Sequence, residues 1–350
     1  MDSRPLNYSH ILISATMSNM TTVRRGRIPF SGYSVSFSPF RPNLIAVASS
    51  QYFGIAGNGR ISILDISSNG MVPVAEFGTR DACFDVAFSE LSESVVAGAG
   101  GDGSIRIFDL NRPGDRPVAV LAGHSAETYS VDWNVNSKSQ LCSASWDRSV
   151  RVWDVAAGKE TFKSLDQTGI AYEAKWNYRN SSLIASVGGD GSVRVIDLRQ
   201  PVPLSQQILT RSEILSVDWN KYREHILVSG SVDRSVNVWD LRKGASSPVC
   251  SFSNHQLAVR RVRFSPFSDS LILSCSYDMS VKLWSLGTMQ EVDSFDHHTE
   301  FVIGIDFSNF ERDLVASTSW DRSLGLWKLG QQRSSQQPLP SVQTSRVSNI

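Results

Sequence analysis

Residues Ser149–Asp154 read SVRVWD, and the same string returns along the chain with small changes. SVNVWD spans Ser235–Asp240, SVKLWS spans Ser280–Ser285, SVRVID spans Ser192–Asp197 and SIRIFD spans Ser104–Asp109. Weaker copies are RISILD at Arg60–Asp65 and SLGLWK at Ser323–Lys328. Their last residues stand at 65, 109, 154, 197, 240, 285 and 328, so the successive spacings are 44, 45, 43, 43, 45 and 43. A repeat of about 40–45 residues ending in Trp-Asp has the length of one four-stranded propeller blade. Seven copies without a gap predict an all-β, seven-bladed β-propeller.

The rest of each copy follows the same grammar. A turn residue precedes the string: Asp102, Asp147, Asp190, Asp233, Asp278 and Asp321, with Asn58 in the first copy. Before it lies an apolar strand such as Leu141–Ser145. Earlier still comes an alternating one, such as SVDW at Ser130–Trp133 and Ser216–Trp219, RVRF at Arg261–Phe264 and GIDF at Gly304–Phe307. Period-two alternation between turn signals indicates half-buried strands. The last copy ends at Lys328 without a fourth strand, and an unpaired edge is a liability. A segment near Thr21–Ile28 is therefore expected to close the ring inside the last blade. The boundaries that follow are an N-terminal segment at 1–27 (in part the closing strand), a propeller at 28–329 and a tail at 330–350. The tail is rich in Gln, Ser and Pro and is expected to be disordered.

Composition excludes several classes. Lys plus Arg equals Asp plus Glu at 34 each, without the basic excess of a dedicated nucleic-acid binder. No run approaches eighteen apolar residues, so no membrane span is expected, and Ile11–Ile13 is too short for a secretory signal. Cys83, Cys142, Cys250 and Cys275 form no CxxC pair. They read as buried hydrophobes in a reducing compartment, with neither disulfide nor metal. The chain reads as soluble and intracellular, with no cofactor.

Two constellations imitate chemistry. His124, Ser143 and Asp147 have the residue types of a nucleophilic triad, but the set recurs as His255, Ser274, Asp278 and as His298, Ser317, Asp321. Catalysis needs one site, and a triad is recognised by its geometry. The repeats resemble WD repeats, in which such residues form a hydrogen-bond ladder ending on the strand tryptophan, here Trp153, Trp284 and Trp327. That resemblance implies scaffold. Blades without the histidine are expected to tie their loops down differently. Gly98–Gly103 (GAGGDG) matches a dinucleotide fingerprint as a string, yet a strand follows where a helix N-terminus is required. No enzymatic activity is expected.

In the WD-repeat pattern, two positions per blade face the loop side of the channel. The first are Tyr33, Phe84, Tyr129, Tyr172, Leu215, Arg260 and Ile303; the second are Trp146, Val232, Tyr277 and Trp320, with glycines in the other blades. Exposed loops do not normally collect so many aromatics, and Tyr and Trp dominate binding hot spots. Glu127 and Glu213 lie two residues before first positions, with Asp81 nearby in its own blade. Acidic groups beside an aromatic platform suit a basic, amphipathic partner helix. A separate string, Trp239-Asp-Leu-Arg242, is similar to the box by which some WD-repeat proteins dock on cullin-based ubiquitin ligases as substrate receptors. The alternative is an ordinary blade ending, as at Asp197–Arg199.

More specific strings are GYSVSFSPF at Gly32–Phe40, QYFGIAG at Gln51–Gly57, FDVAFSE at Phe84–Glu90, LAVRR at Leu257–Arg261 and HTEF at His298–Phe301. With these, residues 28–329 resemble the peroxin-7 family, WD-repeat receptors for the type 2 peroxisomal targeting signal. The resemblance implies a cytoplasmic receptor that cycles to the peroxisome. Its implied cargo is matrix proteins bearing an N-terminal Arg/Lys-Leu/Val/Ile-x5-His/Gln-Leu/Ala signal. A peroxin co-receptor and the peroxisomal docking machinery are the further implied partners. A generic WD-repeat scaffold for basic peptides would use the same face.

Overall fold

The computed structural model describes residues 21–329 except 68–69, 113, 165–166, 201–203 and 245–246. The segment 1–20 and the tail 330–350, with its expected disorder, lie outside the described residues. Twenty-eight strands among the described residues form seven antiparallel four-stranded sheets. Six blades are consecutive in sequence: 31–79, 83–121, 128–164, 171–209, 214–252 and 259–295. The seventh takes three strands from 302–328 and its outermost from Thr21–Arg27, which pairs from Thr21↔Lys328 to Arg27↔Ser323. The expected closing strand is thus in place. Ile28 follows it into the core between the last blade and the first.

Six of the blade turns are alike because one aspartate makes each of them. In the first blade the long turn at 51–58 replaces it, and the Asn58 amide donates to Gln51 Oε1. Asp147 Oδ1 accepts the Ser149 amide at 3.0 Å, and Asp278 and Asp321 repeat the bond to Ser280 and Ser323. The residue between is left-handed: Arg148, Arg234, Met279 and Arg322 have φ of 62–74°. Blades two and four place Gly103 and Gly191 there, where that conformation carries no Cβ penalty.

Each sheet buries both faces against its neighbours. Seven apolar clusters among the described residues correspond to the seven junctions between adjacent blades, including the one across the closure. The innermost strands differ from the half-buried expectation, since Ile214–Trp219 and Val259–Phe264 are buried at every position. Their polar side faces the central channel, where carboxylates stitch five of the seven inner strands to the next blade. Asp85 accepts the Val131 amide, Asp132 that of Trp176, Glu173 that of Val217, Asp218 that of Phe264 and Asp306 that of Phe37, at 2.7–3.0 Å.

Blade six also sends arginines across the channel. Arg261 Nη1 donates to Ser34 and Asp85, both at 3.0 Å, and Arg263 Nη2 donates to Glu173 at 3.0 Å. Burial alone would raise the Glu173 carboxyl, but Arg263, Arg261 and Lys175 hold it far below the usual carboxylate range. Burial likewise opposes ionisation of Asp85, which Arg261 and Lys175 bring below its ordinary value. In most solenoid-like rings a repeat touches only its neighbours; these spokes join blades that are not adjacent.

Candidate peptide-binding face

The loop face is organised by a bulge repeated in all seven blades. The pairing of innermost and second strands slips between Gly32 and Ser34, Cys83 and Asp85, Thr128 and Ser130, Ala171 and Glu173, Ile214 and Ser216, Val259 and Arg261, and Val302 and Gly304. The unpaired residues are Tyr33, Phe84, Tyr129, Tyr172, Leu215, Arg260 and Ile303, the seven first positions of the sequence reading. A bulge re-aims the extra side chain, and here the ring aims seven of them at the channel mouth.

Convergence has a consequence that the repeat pattern did not carry. Tyr33, Phe84, Leu215, Arg260 and Ile303 are only 1–6% exposed. The expectation of solvent-facing contact residues is corrected for these five, because side chains converging on one axis bury one another. Tyr33, Phe84, Ile303 and Ala82 form a small core of their own, with Tyr129, Tyr277, Phe301 and Trp320 packed on it. What remains accessible is the channel mouth above them, which forms a bowl. Tyr129, Tyr172, Tyr277 and Trp320 are partly exposed, and Trp146 and Val232 are exposed at 39% and 42%.

Its wall is a continuous aromatic crescent. Ring centroids run from Trp146 to Tyr129 at 5.5 Å, to Phe84 at 4.8 Å, to Tyr33 at 5.2 Å and to Trp320 at 5.9 Å. Trp320 then meets Phe301 at 5.3 Å, and Phe301 meets Tyr277 at 4.9 Å. Phe53 joins at 5.1 Å from Trp320. The sequence reading missed Phe53 and Phe301 as wall residues, although both lie in quoted strings; HTEF carries Phe301 and QYFGIAG carries Phe53.

The QYFGIAG turn is held in an unusual shape. Tyr52 and Phe53 are left-handed, with φ of 44° and 55°, a conformation that costs bulky residues of order 1–3 kcal/mol each. The Tyr33 hydroxyl donates to the Phe53 carbonyl at 2.5 Å. Gly54 is required next: its φ is +71°, and a Cβ would stand 2.7 Å from Phe84 Cε1. The turn lifts Tyr52 and Ile55 into solvent at 71% and 87% exposure beside the bowl.

The rim carries the acids. Glu213 is exposed and its Oε2 accepts the Tyr172 hydroxyl at 3.0 Å. Burial, then this carboxylate, raises the Tyr172 phenol above its ordinary value. Glu127 and Asp81 are half-buried, with the Asp81 carboxylate capping the Ala82 amide at 2.7 Å. Asp81 also lies beside Gly101, the second position of its blade. Among the described residues none of the three acids forms an ion pair with a cation of the protein.

The triad look-alikes form buried hydrogen-bond ladders. His124 Nε2 meets Ser143 Oγ at 2.7 Å and Nδ1 meets Asp147 at 2.9 Å, while Trp153 Nε1 donates to the same Ser143 at 2.9 Å. His255 and His298 repeat this with Ser274, Asp278, Trp284 and with Ser317, Asp321, Trp327. Each serine is wholly buried and capped by an indole, so no carbonyl can reach it. Burial lowers the His124 pKa and keeps the ring neutral. In blade four Gln167 reaches Ser186 in place of histidine, at 2.9 Å. Ser274→Ala is expected to orphan His255 Nε2 and Trp284 Nε1 together. The loss is about 1–3 kcal/mol per group, read as a lower thermal midpoint with the fold retained.

Remaining strings resolve locally. Gly103 makes a turn into the strand Ile105–Asp109, and no helix follows it. Arg242 grips Asp240 through Nε and Nη2 at 3.0 and 2.8 Å, as Arg199 grips Asp197 at 2.9 and 2.8 Å. Both sit at the end of a third strand, on the face opposite the bowl. All four cysteines are buried and unpaired. No helix among the described residues is long and apolar enough to cross a membrane.

Comparison with known proteins agrees with this architecture. The family described as WD domain, G-beta repeat matches residues 71–109, 115–154 and 289–328, and the EIPR1 beta-propeller family matches 154–284. A mouse protein named peroxisomal targeting signal 2 receptor is 46% identical over 268 residues, covering 76% of this chain and 84% of its own. A Dictyostelium discoideum protein of the same name is 50% identical over 270 residues, covering 77% and 85%. The human one is 47% identical over 255 residues, covering 73% and 78%.

Proposed function

The chain belongs to the family of peroxisomal targeting signal 2 receptors, and we propose that its bowl binds the targeting helix of peroxisomal matrix proteins. The observation that carries this reading is the partly exposed aromatic crescent bordered by acids that pair with no cation among the described residues. In a signal of the form Arg/Lys-Leu/Val/Ile-x5-His/Gln-Leu/Ala, a spacing of seven residues is two helical turns, so the end residues share one face. The apolar members of that face meet Tyr129, Trp146, Tyr277 and Trp320. The basic residue meets Glu213, Glu127 or Asp81. The protein carries out no reaction; it delivers cargo from the cytoplasm to the peroxisomal docking machinery with a peroxin co-receptor, and cycles.

A fluorescent nonapeptide of this pattern tests the reading. Charge reversal at Glu213 or Glu127 is expected to weaken binding by about 2 kcal/mol where the pair is desolvated. Trp146→Ala is expected to cost a similar amount, as a central aromatic anchor does. Unchanged affinity in both charge variants removes the acidic rim from the mechanism. Tighter binding of a histone-like basic peptide in competition would favour the generic scaffold instead. Arg242→Ala should leave nonapeptide binding intact, since it lies on the opposite face.

A further inference from the structure

At the floor of the bowl lies a cation with no carboxylate partner among the described residues. Arg260 is the bulge residue of blade six, is 2% exposed, and reaches across the channel mouth toward blade three. Its guanidinium carbon stands 5.1 Å from the centroid of the Tyr129 ring. Among the described residues no acceptor lies within hydrogen-bond distance of its buried Nη2, and no carboxylate pairs with it. The next two arginines of the same strand show the contrast. Arg261 and Arg263 are buried as well, and each has its carboxylate, Asp85 and Glu173; Arg261 leaves only its Nε unpaired, with its charge met.

A buried guanidinium with an unmet donor is costly to the free protein. The attraction of an aromatic face replaces only part of lost hydration. Natural chains tolerate such a local violation mainly at functional sites. The groups around Arg260 also explain why the acceptor is missing. Tyr33, Tyr129 and Tyr277 surround it with their rings, and none of their hydroxyls is a hydrogen-bond partner of its buried Nη2. The acids of the face, Glu127, Glu213 and Asp81, stand at the rim and make no ion pair with it.

We infer that Arg260 is a ligand-binding group, uncovered when the entering peptide helix displaces the rings packed over it, which then takes a side-chain oxygen acceptor, carboxylate or carboxamide, from that helix. This rests on the proposed function and adds to it. Rim acids select a basic residue near one end of the helix, and the floor selects an acceptor on its apolar face. The two demands together reject a purely apolar or purely basic helix, as a site that pairs buried polar groups does.

The test is a double-mutant cycle with two readouts. Wild type, Arg260→Met and Arg260→Lys are titrated with the fluorescent nonapeptide and with variants in which each Gln, Glu, Asn, Asp or His is replaced singly by Leu. At one peptide position the replacement is expected to lower wild-type affinity at least about tenfold, the size of a charge-assisted hydrogen bond. Against Arg260→Met the same replacement should change affinity less than twofold. Exchanging Gln for Glu there tells carboxamide from carboxylate. The ligand-free thermal midpoint of Arg260→Met should equal or exceed that of wild type, because an unpaired charge has gone. Additive losses at every position, or a lowered midpoint with unchanged affinity, would make Arg260 a structural plug and overturn the inference while leaving the receptor reading intact. If wild type binds no nonapeptide at all, both readings fall.

Discussion

Deletion of residues 1–28 is expected to open the ring and leave a protein that melts far below the full-length chain or fails to stay soluble. The strand Thr21–Arg27 supplies the outer edge of the seventh blade. Without it the strand Ser323–Lys328 presents a bare row of backbone groups, the kind of edge that recruits other chains. Ile28, 5% exposed, leaves the core between the last blade and the first, a loss of about 1.5–3 kcal/mol by area alone. Each abandoned ladder bond adds about 1 kcal/mol. Arg24 also goes; its guanidinium donates to the carbonyls of Ile66, Ser67 and Gly70, so the strand ties down blade one as well. A truncated chain with the full-length melting temperature would show that the first blade and the last hold together without their clasp.

The second large effect is expected from Glu173→Ala. Glu173 is 1% exposed; one oxygen accepts Arg263, and the other accepts the Ser216 hydroxyl at 2.5 Å and the Val217 amide at 2.9 Å. Truncation leaves Arg263 charged and buried without its partner, a change that costs about 3–5 kcal/mol. Glu173→Gln keeps the shape and should recover part of the loss. The pH dependence has a definite sign. The folded carboxyl titrates below its unfolded value, so its contribution is complete above about pH 4.3 and fades as pH falls through the folded value. Asp132 and Asp306, raised chiefly by burial, act in the opposite direction. Comparing the urea midpoints of wild type and Glu173→Gln at pH 6 and pH 3 isolates the one group. The wild type should lose more of its advantage at pH 3, and an equal gap at both pH values would contradict it.

Local periodicity was enough for the blade count, the hairpins and the closing strand. The spacing of the SVRVWD strings counted the blades, the turn aspartates marked the hairpins, and the missing strand after Lys328 pointed to Thr21–Ile28. The recurrence of His124, Ser143 and Asp147 pointed to a ladder repeated from blade to blade. Contacts across the ring were not legible in the same way. Arg261 meets Ser34 over a separation of 227 residues and Asp85 over 176. A period-two pattern says that Arg261 and Arg263 leave the apolar face, but not that the other face is a closed channel. The mutual burial of Tyr33, Phe84 and Ile303 has the same cause. Alternation places a side chain on one side of a strand, and only the diameter of the ring decides whether seven of them meet.

The closing strand also sets a clock. Thr21 pairs with Lys328, a separation of 328 minus 21, or 307 residues. At a synthesis rate of about 5–20 residues per second, roughly 15–60 s pass between the appearance of the two edges. Six blades can be made in that interval, yet the ring cannot shut. Throughout it the first strand has no partner, and its sequence TTVRRGR carries Arg24, Arg25 and Arg27. Charges of one sign along a strand discourage pairing with the wrong neighbour. Two of them later find native work, Arg24 on blade one and Arg25 on Asp321 of the last blade at 3.2 Å. Of the described strands, the one made first is paired last, and its charge guards it in the meantime.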